Sequence, residues 1–192
     1  MTPFWLDEPY TPRPALQGPI TADVAIVGGG ITGVACALLL ARRGSRVALL
    51  EGGALASGAS GRNAGFLLEG LHSSYRMAIR SHGRDRAREF WTLTRENHRL
   101  LEELVGGEHI DCGYVRNGSY TLAPSENEAE ALQKSLRPLT EDGFAAEFLD
   151  DTDLARLFPR AGFRAGLFHP GNGEVHPARL VRGLALAAER RG

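Results

Sequence analysis

Apolar and polar positions change period several times along the 192 residues, and each change marks an element. Asp23-Val24-Ala25-Ile26-Val27 is a short apolar run ending in Gly28-Gly29-Gly30. Such a run predicts a strand buried on both faces, as in a parallel sheet. Residues 31–43 stay apolar over helical length, carry Arg42 and Arg43 in the last turn and stop at Gly44, which predicts a helix. Residues 46–51 form a second apolar run. The body of the chain thus opens as strand, helix, strand, with the two strands parallel and adjacent.

The pattern then changes. Residues 52–70 are rich in Gly, Ala, Ser and Asn and predict a loop. Residues 73–105 predict helix with a break at Gly83, and Phe90, Leu93, Leu100 and Leu104 recur at the spacing of a buried face. Residues 114–116 and 119–122 flank Asn117-Gly118, the signature of a hairpin with a type I′ turn. Ser125 with Glu128 forms a capping box opening a helix that turns Ala129, Leu132 and Leu136 inward. Residues 145–149 and 166–168 predict strands. His176-Pro177 opens a last helix, with Pro in its first turn, running through Leu180, Leu184 and Ala188 to Gly192. Before all of these, residues 1–22 are proline-rich with Phe4, Trp5 and Tyr10, and predict an arm laid over the body.

This order predicts an α/β fold: a Rossmann-type parallel sheet interrupted by an α+β portion with antiparallel pairing. The expected organisation is an arm at 1–22, the first part of a nucleotide-binding domain at 23–110, part of a second domain at 111–170, and a return at 171–192.

Composition narrows the classes of function. Hydrophobic residues make up 43% and charged residues 23%, a folded rather than a disordered balance. A net charge of −1 gives no electrostatic case for nucleic acid or an anionic membrane. No apolar run reaches the roughly 18 residues that a membrane-spanning helix needs. Cys36 and Cys112 are too few for a disulfide scaffold or a structural zinc site, and Cys36 is expected as a small buried side chain of the first helix. The N-terminus lacks the apolar stretch of a signal peptide, so a cytoplasmic setting is the default expectation. For the same reason the sequon Asn117-Gly118-Ser119 carries no weight. The run Arg80, Arg84, Arg86, Arg88 reads as a solvated helix face. His169, Glu174 and His176 fall in a Pro/Gly loop at spacings that match no zinc signature, so no metal is expected and His176 reads as structural.

The chemistry gathers where the glycines do. Gly28-x-Gly30-x-x-Gly33 follows a strand and opens a helix, and an acidic residue, Glu51, ends the next strand. Gly28 suits the tight turn, Gly30 the approach of a pyrophosphate, and Gly33 close packing of helix on strand. The amides of residues 30–33, including Ile31 and Thr32, sit at a helix N-terminus carrying about half a positive charge. Glu51 is placed to accept hydrogen bonds from a ribose and disfavours a 2′-phosphate. These features predict a bound dinucleotide without choosing between NAD and FAD. The following segment, Ser57-Gly58-Ala59-Ser60-Gly61-Arg62-Asn63-Ala64-Gly65-Phe66, favours FAD. Its small residues, one Arg and one Asn offer amides and polar side chains to a large planar anion. The alternatives are an NAD-binding enzyme or module and a non-catalytic fragment.

The runs DVAIVGGGITGVACALLLARRGSRVALLE, GASGRNAGF and HPGNGEVHPARLVRGLA, with the lead-in Phe4-Trp5-Leu6-Asp7, resemble the FAD-dependent D-amino acid and amine oxidase family. Within it the likeness is to the gamma-glutamylputrescine oxidase and glycine/sarcosine oxidase branch. The resemblance implies FAD as cofactor, held at its diphosphate by Gly28, Gly30, Ile31, Thr32 and Gly33 and at its ribose by Glu51. Ser60, Gly61, Arg62, Asn63, Ala64 and Gly65 would line the diphosphate and the flavin. It implies oxidation of a small amine or amino acid by hydride transfer, with oxygen or another acceptor taking the electrons. It designates no catalytic residue among these positions. Members of the family are longer, so the resemblance also implies that this is the N-terminal portion of such an oxidase.

Overall fold

The computed structural model describes residues 2–191; Met1, the first residue of the expected arm, and Gly192, the expected end of the last helix, lie outside them. In chain order the elements are β1 (Val24–Val27), α1 (Ile31–Ala41), β2 (Val47–Leu50), β3 (Phe66–Leu67), α2 (Tyr75–His82), α3 (Arg84–Gly107), β4 (Ser119–Ala123), α4 (Glu126–Glu141), β5 (Glu147–Asp150), α5 (Asp151–Leu157), β6 (Ala165–His169), β7 (Gly173–Glu174) and α6 (Pro177–Glu189). They fall into two units. One comprises the chain up to Phe66, Leu101–Tyr114 and everything from Val175; the other comprises Leu67–Leu100 and Val115–Glu174.

In the first unit β1 and β2 pair in parallel, Val24 opposite Val47 through Val27 opposite Leu50, with α1 as the crossover. Val34, Ala37, Leu38 and Ala41 bury one stripe of α1. Leu180, Val181, Leu184 and Ala185 do the same on α6, which packs against α1. Each fully buried leucine or valine contributes about 1.5–3 kcal/mol, so this helix pair stabilises the unit substantially. The ends of three helices are tied together by Glu108, whose side chain is 3% exposed. Its carboxylate accepts hydrogen bonds from Arg42 and Arg191, and Arg190 approaches at 3.4 Å. Burial would push the Glu108 carboxyl up, but the hydrogen bonds from Arg42 and Arg191 outweigh it and hold it below its ordinary range.

Two expectations fail in this unit. The strands are not buried on both faces: Val27 is 87% exposed, and Ala25 is exposed as well. Successive strand residues face opposite ways, so Ile26 points to α1 and Gly33 while its neighbours point away. Cys36 is exposed, because the α1 stripe runs through positions 34, 37, 38 and 41 and leaves 36 on the other side.

The second unit is built on an antiparallel sheet in the order β4-β6-β5. Tyr120 pairs with Phe168, and Phe148 pairs with Leu167. Tyr75, Ala78, Ala87, Trp91, Leu139 and Phe144 form its core, with the Tyr75 and Trp91 rings edge to face at 4.8 Å. The capping box forms as expected, Ser125 Oγ accepting from Glu128 N and the Glu128 carboxylate accepting from Ser125 N. The break at Gly83 also forms, with φ of +82°.

The hairpin does not form. β4 pairs with β6 instead, and Val115 bridges to Glu174. Among the described non-glycine residues only Ala56 and His109 have positive φ, so Asn117 lacks the backbone that a type I′ turn demands. Gly118 N donates to Asn172 O, a partner distant in sequence. The buried stripe of α3 is also shifted. Ala87, Trp91 and His98 are buried in this unit, and Leu101 and Leu104 in the other, whereas Leu93 is 64% exposed. Helix α5 was not anticipated; Asp150 caps it by accepting from Asp153 N at 2.9 Å.

Candidate dinucleotide site

The carboxyl ends of β1 and β2 carry the residues that the sequence singles out. Gly28 extends the ladder by one bond, its N–H donating to Leu50 O at 2.8 Å, and then turns with φ of +104°. A side chain is disfavoured at that angle. A Cβ built on Gly33 would lie 2.0 Å from Gly28 O, so only glycine lets α1 approach β1 this closely. Gly30 is the N-cap of α1 and supplies no side-chain cap. Acceptors for the first amides, at the positive end of the helix dipole, must therefore come from elsewhere, and Thr32 in the first turn is exposed.

The loop that follows β2 folds back on this helix end. Ser60 Oγ accepts from Ile31 N at 2.9 Å, joining positions 29 residues apart. Within the loop, Asn63 Nδ2 donates to Ala59 O and Ser60 O, and Asn63 Oδ1 accepts from Gly65 N at 2.8 Å. Asn63 thus organises the loop with all of its amide. Arg62 donates from Nε to Ser57 O at 2.8 Å, with the rest of its guanidinium on the exposed side. Gly61 and Gly65 are buried within the loop, and Ala64 is exposed.

Glu51 stands beside the same turn. Its Oε2 accepts from Gly29 N at 2.7 Å and its Oε1 from Gly53 N at 2.8 Å. Those amides hold the carboxyl below its ordinary range, so it is ionised at neutral pH. A carboxylate has about four acceptor positions, more than the neighbouring amides use. A cavity of about 600 Å3 adjoins Glu51 and runs between the arm at Leu16 and Ile20, β2, and the ends of α1 and α6; Gly28, Gly30, Gly33 and Ser60 do not line it.

The arm is the part that residue patterns alone did not connect to the site. Trp5 Nε1 donates to Asn63 O at 2.7 Å across 58 positions, and Leu6 lies over Gly61. His176 caps α6, its Nδ1 accepting from Arg179 N at 3.2 Å, with its ring against Trp5. Among the described residues no group of three His, Cys, Asp or Glu side chains could hold a metal ion. Likewise no helix among them is long and apolar enough to cross a membrane.

The helix end, with Ser60 on its Ile31 amide, the glycine approach and the two-armed carboxylate together fit a diphosphate with a ribose beside it. Residues 23–192 match the family model described as DAO, FAD dependent oxidoreductase. Gamma-glutamylputrescine oxidoreductase of Escherichia coli is 32% identical over 95% of this chain and 43% of its own length. Glycine oxidase of Geobacillus kaustophilus is 33% identical over 88% of this chain and 44% of its own length. The crystal structure of that glycine oxidase superposes with a TM-score of 0.74 at 32% identity, covering 89% of this chain and 45% of the other. The L-amino acid deaminase of Proteus myxofaciens shares the fold, with a TM-score of 0.74 at 23% identity over 95% of this chain and 39% of the other. The chain therefore spans under half the length of the curated relatives it matches.

Proposed function

This chain belongs to the DAO family of FAD-dependent oxidoreductases, and on that footing we propose that it is the N-terminal part of an enzyme that oxidises a small amine or amino acid. When bound, FAD would supply the redox chemistry, taking a hydride from the substrate carbon that bears nitrogen and passing the electrons to oxygen or another acceptor, while the nitrogen loses a proton and water hydrolyses the imine.

The chain's own residues bind and orient. The first-turn amides of α1 and its dipole hold the diphosphate at Gly28, Gly30, Ile31, Thr32 and Gly33. Glu51 accepts from the ribose hydroxyls and repels a 2′-phosphate. The loop from Ser60 to Gly65, with Arg62 exposed on it, lines the remainder of the cofactor. The first unit is the Rossmann-type cofactor-binding part, and the second, with its antiparallel sheet, belongs to the substrate-binding part.

The single observation that carries this reading is the meeting of Gly28, Gly33, Glu51 and Ser60 at one helix terminus. The test is a titration of the chain with FAD, NAD and ADP followed by thermal shift. A saturable shift with FAD that NAD does not reproduce supports the reading. A shift with NAD alone reassigns the site to a nicotinamide cofactor, and no shift with any of the three leaves the chain a non-binding fragment.

A further inference from the structure

The arm is fastened to the first unit at several points, and each fastening has its partner either on the loop after β2 or on α6. Trp5 donates its indole N–H to the Asn63 carbonyl, and the Trp5 and His176 rings meet edge to face at 4.8 Å. Leu6 fills the space over Gly61, where a Cβ would come within 2.7 Å of Leu6 Cδ2. Further along, Arg179 Nε donates to both Glu8 oxygens at 3.0 and 3.1 Å. The Arg182 guanidinium lies 4.5 Å from the Tyr10 ring centre. Arg13 grips Glu189 bidentately at 2.8 and 2.9 Å.

We propose that residues 4–13 are a clasp that holds the Ala59–Gly65 loop in its cofactor-accepting form, with Trp5 as a positioning residue for FAD. The contacts run in series. Trp5 fixes the Asn63 backbone, Asn63 ties Ala59, Ser60 and Gly65 together, and Ser60 meets the Ile31 amide at the diphosphate end of α1. Without Trp5 and Leu6 the loop loses the surface that it rests on, and the internal bonds that hold the Gly61 and Gly65 amides open more often. The ionic fasteners are exposed, individually weak and screened by salt, and ordering a proline-rich segment opposes them with chain entropy. The clasp therefore opens readily, and its opening is salt-dependent. Cofactor exchange follows that opening rather than a movement of the core.

This inference rests on the reading of residues 60–65 as part of the FAD site, so the experiment separates the two. Hydrogen exchange at the Gly61 and Gly65 amides is measured in the 192-residue chain without FAD, and FAD dissociation is measured in parallel by flavin fluorescence. Trp5→Phe removes the indole N–H while keeping a ring; Glu8→Gln weakens a fastener that touches no loop residue. Each variant is expected to speed exchange at both amides at least fivefold, with the amides of α1 and α6 unchanged, and to speed FAD release by a similar factor. Raising salt from 0.05 to 0.5 M should speed loop exchange in the unaltered chain and do so less in Glu8→Gln, which keeps the Arg13–Glu189 pair. Loop exchange within twofold of the unaltered chain in both variants overturns the clasp. An unaltered chain that binds no FAD overturns the cofactor reading instead, while the exchange data still decide whether the arm controls the loop.

Discussion

The carbonyl oxygen of Gly28 occupies the space in which a side chain on Gly33 would begin. A Cβ at position 33 would lie 2.0 Å from it, far inside contact distance. The strand and the helix that meet at this turn are therefore held at a separation that one methyl group would abolish.

Gly33→Ala forces β1 and α1 apart. It is expected to destabilise the chain by about 1–3 kcal/mol, the usual range for overpacking, and to weaken FAD binding more than tenfold. Gly106→Ala is the contrast: it lies within α3 with open space around its Cβ position, and should stabilise by about 0.5–1 kcal/mol. Thermal melts of the two variants check both signs.

Glu51→Gln turns an acceptor pair into one acceptor and one donor, and the donor faces the N–H of either Gly29 or Gly53. The turn loses a charge-assisted hydrogen bond, with an expected cost of about 1.5–3 kcal/mol before discount and nearer 1 because the side chain is exposed. FAD affinity should fall about tenfold, and calorimetric titration reads it.

Glu108→Gln leaves three arginines facing a neutral amide. A loss of about 2–4 kcal/mol is expected, less than for a fully buried pair because the arginines are partly exposed. The pH dependence has a definite sign. The folded-state pKa of Glu108 lies below its ordinary 4.5, so its contribution is complete above that value and disappears as pH falls through the folded-state pKa. The stability gap between the two proteins should be constant from pH 6 to 8 and narrow below roughly pH 4.

Tyr75 Oη donates to Asp142 Oδ2 at 2.6 Å, and Arg84 holds the same carboxylate. Burial, helped by the Asp142 hydrogen bond, pushes the phenol well above its ordinary range, so the hydroxyl remains a donor at neutral pH. Tyr75→Phe should cost about 1–2 kcal/mol, whereas Tyr75→Ala, which empties the core beside Trp91 and Phe144, should cost about 3–5 kcal/mol. Denaturant unfolding separates the two.

Local features were legible in the residues and remote ones were not. β1, α1 and β2 follow from apolar runs punctuated by glycine, and the Ser125 box from two residues three apart; each signal lies within the element it defines. Asn117-Gly118 carries an equally local signal that loses, because Ser119–Ala123 gains more by pairing with Ala165–His169 than with residues 114–116. The exposure of Val27 was illegible for a related reason: a strand's apolar residues do not reveal which of its faces is covered. In the site, Gly28, Gly33 and Glu51 were legible as a spaced motif. The Trp5–Asn63 bond was not, since no pattern within a segment reports a hydrogen bond across 58 positions. Asn63 itself was legible as a polar residue in the right loop, but not as the residue that ties that loop together.

The most direct test of the central claim is the equilibrium binding of FAD to this chain beside its Gly33→Ala variant. Saturable binding near one FAD per chain is expected, with a rise in melting temperature that grows with FAD concentration as mass action requires, and with the variant needing more than tenfold more FAD for the same rise. An unaltered chain that melts at the same temperature with and without FAD, or that responds equally with Ala at position 33, would contradict it.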